Sequence, residues 1–387
     1  MHICYITGEY PIENLPHGGV GTFTRSLGYK LVNEGVEVSV IRLAKVNKEM
    51  LINDNGIKVY LVPEESKKPF KFVWNSYRIH KKIKEIHSQQ SISIIETPEL
   101  GLAFLKKIKG IKYVIRMHGG HHFFAKAEKR KTERKKVWQE KRSFKKADSI
   151  IAVSKYVAQT TCQLLKLDEE KIKVIYNPID TQRFYQADEN KVELHTIFFA
   201  GSIIEKKGIR QLVESLEYLV DDFPDIKLKI AGRDATVPGT NKPYRPILEK
   251  SITNTIKNNI EFLGAVPNFE IPNYIEKAQI CCYPSHMEAM PLAWLEVLAM
   301  GKIFIGSETG PGPEAVQDNV TGFLVNPHNP KAIANKIKYI FENYKQAIQI
   351  GKNARTSILE KFDINSIVTK NLDCYKSILN EDNSRNT

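Results

Sequence analysis

The chain has 387 residues, of which 42% are hydrophobic and 26% charged, with a formal net charge of +13 at pH 7. These proportions belong to a globular protein too long for one ordinary core, so two domains of roughly 180 residues each are expected. No apolar run approaches the roughly 20 residues of a membrane span, and the five cysteines lack metal-ligand spacing, which reads as buried, reduced thiols.

The charge is one-sided. Residues 1–180 carry 33 Lys and Arg against 19 Asp and Glu, a balance of +14, while residues 181–387 carry 24 against 25, a balance of −1. Such asymmetry favours an anionic partner for the first half: a membrane surface, a polyanionic substrate or nucleic acid.

In chain order, Met1-His-Ile-Cys-Tyr-Ile-Thr7 starts as a strand with no basic leader or cleavage site, so no signal peptide is expected. Strands are predicted at Ile3–Thr7, Val36–Leu43, Ile92–Ile95, Tyr113–Met117, Ile150–Val153 and Lys173–Ile175, separated by helical stretches, the first from about Thr22 to Asn33. Alternation of this kind implies parallel strands with crossover helices. Asn177-Pro-Ile-Asp180 is turn chemistry and the following stretch lacks a period, which places a linker at 181–194. A second set follows at His195–Ala200, Ile226–Ile230, Ile260–Leu263, Ile280–Tyr283, Ile303–Ile305 and Phe323–Val325. The expected domains are therefore 1–180 and 195–363, both α/β and doubly wound, with strand C-terminal ends facing a central cleft. Helices without strands between them are predicted at 330–344, 346–361 and 364–379; the last, taken as 364–380, is expected to cross back to the first domain.

Four stretches break this pattern at predicted strand ends. His17-Gly-Gly-Val-Gly21 lets backbone approach a ligand and opens a helix whose N–H groups suit an anion, although it lacks the spacing of a dinucleotide site. Arg116-Met-His118-Gly-Gly-His-His122 ends a strand. Gly119-Gly120 argue against the helix that an i,i+4 metal pair would need, so His118 is read as a hydrogen-bonding group and metal is not expected. Ala200-Gly-Ser202 through Lys206-Lys207-Gly208 brings an ammonium group to the mouth of a helix, where it can meet negative charge. Ser285-His-Met-Glu288-Ala-Met290-Pro291-Leu292-Ala-Trp-Leu-Glu296 through Gly301 turns out of a strand into a helix from about Pro291 to Met300. Its free amides suit a phosphate, with one acid before the helix and one inside it. Each stretch also has a plain structural reading, as a flexible turn, a polar loop or a solvated charge.

Taken in this order, these features resemble the retaining GT-B glycosyltransferases of family 4, the group 1 type. The resemblance extends to Ala147-Asp148 through Lys155, Asn177-Pro-Ile-Asp180, Thr309-Gly-Pro-Gly-Pro-Glu314 and Asn319-Val-Thr-Gly322, and covers nearly the whole chain. It implies two Rossmann-like domains, the first binding acceptor and the second binding a nucleotide-diphosphate sugar. It further implies that Gly18 and Gly19 border the donor diphosphate and that Lys207 binds it with the amides of Met290, Pro291 and Leu292 nearby. Glu288 would orient the transferred sugar, Glu296 would take both ribose hydroxyls, and His118 would touch the sugar near the reacting centre. Ser202 stands where many members carry Arg; Lys206, Arg210 or Arg233 could supply the missing cation, the hydroxyl could suffice, or activity could be reduced.

The implied reaction is transfer from a UDP- or GDP-sugar to a hydroxyl of a glycan or lipid-linked acceptor, with anomeric retention, no cofactor and no metal. Cell-surface polysaccharide or glycolipid synthesis, in the cytoplasm or at the inner face of the membrane, fits that chemistry. Residues 126–146 hold eleven basic against three acidic side chains, with Trp138 and Phe144 among them. Lys129, Arg130, Arg134 and Lys135 are the expected surface for an anionic membrane or acceptor; a solvated helix face is the alternative. A sugar-nucleotide epimerase of the same architecture, a basic nucleic-acid-binding protein and a catalytically silent scaffold are the competing readings. No nucleic-acid module is recognisable, and nucleic acid would leave Glu288 and Glu296 unexplained.

Overall fold

The computed structural model describes residues 1–13, 15, 17–128 and 130–381. Contacts divide the chain into two units, residues 1–178 with 364–387, and residues 179–363.

Among the described residues the first unit is built on an eight-stranded sheet ordered β3-β4-β2-β1-β5-β6-β7-β8. Its strands are β1 (His2–Thr7), β2 (Glu37–Ala44), β3 (Met50–Asp54), β4 (Ile57–Pro63), β5 (Ile94–Thr97), β6 (Lys112–Met117), β7 (Ser149–Ala152) and β8 (Ile172–Val174). All neighbours run parallel except β3, which pairs antiparallel with β4. That hairpin departs from the all-parallel expectation. Asn55 and Gly56 both take positive φ, 50° and 91°, the requirement of a two-residue turn that matches strand twist. The central strand β1 is buried along its whole length, as expected of a sheet covered on both faces. The helices are α1 (Gly19–Asn33), α2 (Lys71–Gln89), α3 (His121–Ala127), α4 (Arg134–Phe144) and α5 (Lys155–Leu165). The first begins three residues before the predicted Thr22, within the glycine turn itself.

The second unit carries a six-stranded, wholly parallel sheet ordered β11-β10-β9-β12-β13-β14. These are β9 (Glu193–Ala200), β10 (Lys227–Ala231), β11 (Ile260–Gly264), β12 (Ala278–Tyr283), β13 (Phe304–Ser307) and β14 (Phe323–Val325). The helices are α6 (Ile209–Ser215), α7 (Arg245–Glu249), α8 (Ile271–Lys277), α9 (Leu292–Ala299), α10 (Gly312–Ala315), α11 (Pro330–Glu342) and α12 (Tyr344–Lys361). Residues 181–194, expected as a linker, pack into this unit. Phe184 and Ala187 are buried, the Ala187 N–H donates to Met300 O at 3.0 Å, and Arg355 donates to Phe184 O at 3.1 Å. Two apolar side chains spaced three apart anchor the stretch although it has no regular period.

The last helix, α13 (Ile364–Asn380), belongs to the first unit. Arg116 on β6 forms a paired hydrogen bond with Glu96 on β5 at 2.6 and 3.0 Å, and also donates to Asn371 at 2.6 Å and to the Tyr375 hydroxyl at 3.2 Å. Tyr375 in turn donates to Glu96 at 2.8 Å and meets Tyr5 OH at 3.1 Å. All five side chains are buried, so Arg116 and Glu96 neutralise each other while Asn371 and Tyr375 of α13 satisfy further hydrogen-bonding capacity of the pair. The five cysteines are buried and free, and burial pushes the Cys281 thiol up to about 12.

Candidate active site

In the second unit the site is assembled from two turns at strand ends. After β9 the chain passes Gly201 and the exposed Ser202 into a 3₁₀ turn at Glu205–Lys207. Glu205 pins that turn from below: it accepts from Arg210 at 2.8 Å, from Gln211 at 2.9 Å and from the Tyr244 hydroxyl. Burial would raise the Glu205 carboxyl, but these donors prevail and hold it down at about 2. Gly208 closes the turn at φ 67°, and a Cβ placed there would lie 1.8 Å from Pro284 O. Only glycine allows that approach.

The second turn follows β12. The His286 N–H donates to Lys206 O at 2.9 Å and the His286 ring meets Gln211 at 3.1 Å, fastening the two turns together. Lys207 Nζ then lies 2.5 Å from Glu288 Oε1, joining residues 81 apart in sequence. The helix that follows is α9, one residue shorter at each end than predicted. Pro291 sits at its N-cap with no side-chain cap, which leaves first-turn amides directed outward at the positive end of the helix dipole. Trp294, Leu295, Val297 and Leu298 bury its apolar face. Glu296 is half-buried. Burial lifts its carboxyl to about 7 with Arg183 pulling the other way, and its oxygens make no hydrogen bond among the described residues.

Thus Lys207 pairs with Glu288, the chain passes Met290 and Pro291 into α9 at Leu292, Glu296 lies one turn inside that helix, and Ser202 lies on the strand-end turn leading to Lys207. Arg210, one of the cations named for the place beside Ser202, pairs with Glu205 and with Glu214, the latter at 2.6 Å. An ammonium group and an uncapped helix start are chemistry that suits an anion, and an unpaired carboxyl is chemistry that suits hydroxyl donors.

In the first unit, Gly18 caps α1 with extended backbone, and its N–H donates to Glu9 Oε2 at 3.0 Å. The Gly18 N–H is thus engaged by a carboxylate of the protein itself. His118 follows β6 and packs edge-on against Phe23, ring centroids 4.9 Å apart. Burial, and then the charge of Arg116, push its imidazole down to about 3, so it is neutral throughout the physiological range. The turn after it is clamped by two glutamates that the sequence did not reveal. Glu140 accepts from His121 N at 3.0 Å, from His122 N at 3.2 Å and from the His122 ring. The His118 and Gly119 amides face Glu99, whose carboxyl burial raises to about 7. Gly120 makes room for the clamp, since a Cβ there would lie 1.9 Å from Glu140 Oε1. A cavity of about 290 Å³ opens beside it, lined by Glu99, Gly119, Gly120, His121, Arg130 and Lys136 among others. His121 Nε2 accepts the Glu133 N–H at 2.9 Å, so both rings of the His pair are engaged in the fold. Of the expected anionic-partner surface, Arg130 pairs with Glu128 at 2.5 Å, Arg134 opens α4 exposed to solvent, and Lys135 lies over the Phe72 ring at 3.7 Å. Lys129 lies outside the described residues.

Comparison with known proteins bears on both units. The family described as "Glycosyl transferases group 1" matches residues 181–357, and "Glycosyltransferase Family 4" matches residues 17–183. The chain is a group 1 glycosyltransferase. An uncharacterized glycosyltransferase of Methanocaldococcus jannaschii is 25% identical to this glycosyltransferase over 97% of its length and 98% of the relative's. N-acetyl-alpha-D-glucosaminyl L-malate synthase of Bacillus anthracis is 22% identical over 94% and 95%. Among solved structures, sucrose-phosphate synthase from Thermosynechococcus elongatus superposes with a TM-score of 0.83 at 19% identity, covering 97% of this chain and 98% of the other. Anabaena HepE in complex with UDP-glucose gives 0.78 at 17% identity, covering 97% and 100%. The fold of the glycosyltransferase is accordingly GT-B, two Rossmann-like α/β domains. Neither the epimerase nor the nucleic-acid reading is favoured by these matches.

Proposed function

We propose that this glycosyltransferase moves a sugar from a nucleotide diphosphate to an acceptor hydroxyl with retention at the anomeric carbon. The observation that carries the reading is the Lys207–Glu288 pair held at the uncapped start of α9, with Glu296 unpaired one turn further on. The diphosphate lies against the α9 amides and Lys207, and the ribose hydroxyls donate to Glu296, whose two oxygens suit a diol. A UDP- or GDP-sugar is the donor class; HepE, with UDP-glucose in its structure, favours uridine.

As the bond from the anomeric carbon to the β-phosphate oxygen breaks, its electron pair passes to the phosphate. Lys207 and the α9 amides meet that charge in place. The acceptor oxygen attacks from the face the phosphate is leaving, and its proton passes to the departing phosphate oxygen. Glu288 is tied to Lys207 and orients the sugar rather than attacking it. Neutral His118, fixed by the glutamate-clamped turn, has a proposed role as a hydrogen-bonding group for substrate. The acceptor, a glycan or lipid-linked hydroxyl used in surface polysaccharide or glycolipid synthesis at the cytoplasmic side, enters through the first unit's cavity. Because the ammonium and the amides supply the positive charge, no divalent metal is needed, and chelator leaves turnover unchanged.

A thermal-shift panel of nucleotide sugars picks the donor, since a selective ligand stabilises the folded state by mass action. Proton NMR of the product made from that donor then reads the anomeric coupling. The donor's own configuration is expected, and an inverted product overturns the proposed mechanism.

A further inference from the structure

The first unit presents an aromatic and basic surface that donor chemistry does not use. Phe70, Tyr77 and Trp138 are 73%, 62% and 53% exposed, and Val73 and Trp74 are also exposed. The rings form a continuous ladder from the start of α2 to α4. Phe70 meets Phe72 at 6.2 Å, Phe72 meets Phe104 at 4.6 Å, and Phe104 meets Trp138 at 5.8 Å. Cations lie among them: Lys68 is 4.7 Å from the Trp74 ring, Lys135 3.7 Å from Phe72 and Arg142 5.5 Å from Trp138. Residues 66–84 contain seven Lys and Arg and no acid; Lys68 and Arg78 pair with Glu65 and the buried Lys82 with Glu49 and Glu85, which leaves Lys67, Lys71, Lys81 and Lys84 outside those pairs.

Local folding does not explain these choices. The first turn of α2 has no acidic residue and no side-chain cap, and Phe70 before it takes a left-handed φ of 53°. A cation at Lys71 opposes the helix dipole. The buried face of α2 starts only at Ile79, so its first two turns add little to the core. An exposed apolar patch of this kind marks an interaction surface.

We propose that this surface, from the start of α2 across Phe104 to the outer face of α4, docks on an anionic lipid bilayer. Aromatic rings sit at headgroup depth, and Lys and Arg carry their charge out to the lipid phosphates along apolar stems. The charge argues against a second copy of the chain as occupant. A two-fold interface would set the same basic residues face to face. This surface deepens the proposed function by naming where a lipid-linked acceptor is met, but it stands on the first unit alone and survives a different acceptor.

The test is co-sedimentation of the full chain with phosphatidylcholine vesicles, either pure or containing about one third phosphatidylglycerol. Binding to the anionic vesicles is expected to exceed binding to neutral ones by about tenfold or more and to weaken with salt. Trp294 is buried, so a blue shift of tryptophan emission on binding reports Trp74 and Trp138. A triple variant, Phe70→Ser, Trp74→Ser and Trp138→Ser, is expected to lose the blue shift and about tenfold in binding. Its thermal shift with donor nucleotide stays as in the parent, which keeps this test separate from the donor site. Equal binding to neutral vesicles overturns the proposal. So does a triple variant that binds as the parent does, or equal retention by single-stranded RNA of matched charge, which would make the surface a general polyanion binder.

Discussion

Lys207 and Glu288 hold each other at 2.5 Å, so an arriving diphosphate competes with a carboxylate for the same ammonium group. Glu296 poses a different problem. Its carboxyl, lifted to about 7 by burial, is half protonated near neutrality, and ribose hydroxyls favour the ionised form by donating to it. Nucleotide-sugar affinity is therefore expected to rise from pH 6 to pH 8 by about tenfold, the fraction ionised being the limit. Calorimetric titration with an intact nucleotide sugar measures this without interference from a terminal phosphate, and Glu296→Gln should flatten the profile. A profile unchanged in that variant would place the titration elsewhere. The same shift has a stability consequence of fixed sign. A carboxyl raised on folding favours the folded state below its unfolded value near 4.5, and that contribution is lost as pH rises through about 7. Glu205, held at about 2, acts in the opposite direction. Its contribution is present above the unfolded value and is lost as pH falls towards 2.

The donor site depends on how closely two turns approach, and Gly208 sets that approach. Gly208→Ala should cost about 1–3 kcal/mol in backbone strain at φ 67°, with a further cost from the clash at Pro284 O. It should also part Lys207 from Glu288. Thermal melts and donor titration on the variant check both effects, and unchanged affinity would mean that the pair does not need this spacing. Much at this scale is legible in sequence. The apolar runs mark the strands of both sheets, and Pro291 with Gly301 brackets α9, because those signals are local. The β3–β4 hairpin was missed although Asn55-Gly56 between two apolar stretches announces it. The Lys207–Glu288 pair and the Glu99 and Glu140 clamp on the His118 turn could not be read in advance. Each joins residues brought together only by the sheet, and nothing in the spacing of two glutamates distinguishes a clamp from a solvated charge. The glycine turn at Gly18 was placed at the right strand end, but its amide is taken by Glu9, nine residues upstream and outside the motif.

The whole chain is ordered so that its last helix completes its first unit. Arg116 and Glu96 are buried with Asn371 and Tyr375 as partners, some 255 residues or more after Arg116. Removing residues 364–387 should therefore destabilise the first unit, since Arg116 and Glu96 would lose their Asn371 and Tyr375 partners at about 1–3 kcal/mol for each buried group left unsatisfied, and the unit would lose the buried face of α13. The milder Tyr375→Phe should lower stability by about 1–3 kcal/mol by denying Glu96 a donor. Urea melts distinguish this from a peripheral helix, for which neither change would matter. Lys207 and the α9 amides define the chemistry proposed for the second unit, and one comparison reaches them without any acceptor. Calorimetry of a nucleoside diphosphate against its monophosphate, on the parent and on Lys207→Ala, isolates the site's grip on the second phosphate. The predicted result is that the parent prefers the diphosphate by at least about tenfold, a charge-assisted contact, and that the variant loses most of that preference. A preference that survives in Lys207→Ala, or is absent from the parent, would contradict the assignment of the departing phosphate to this ammonium group and helix start.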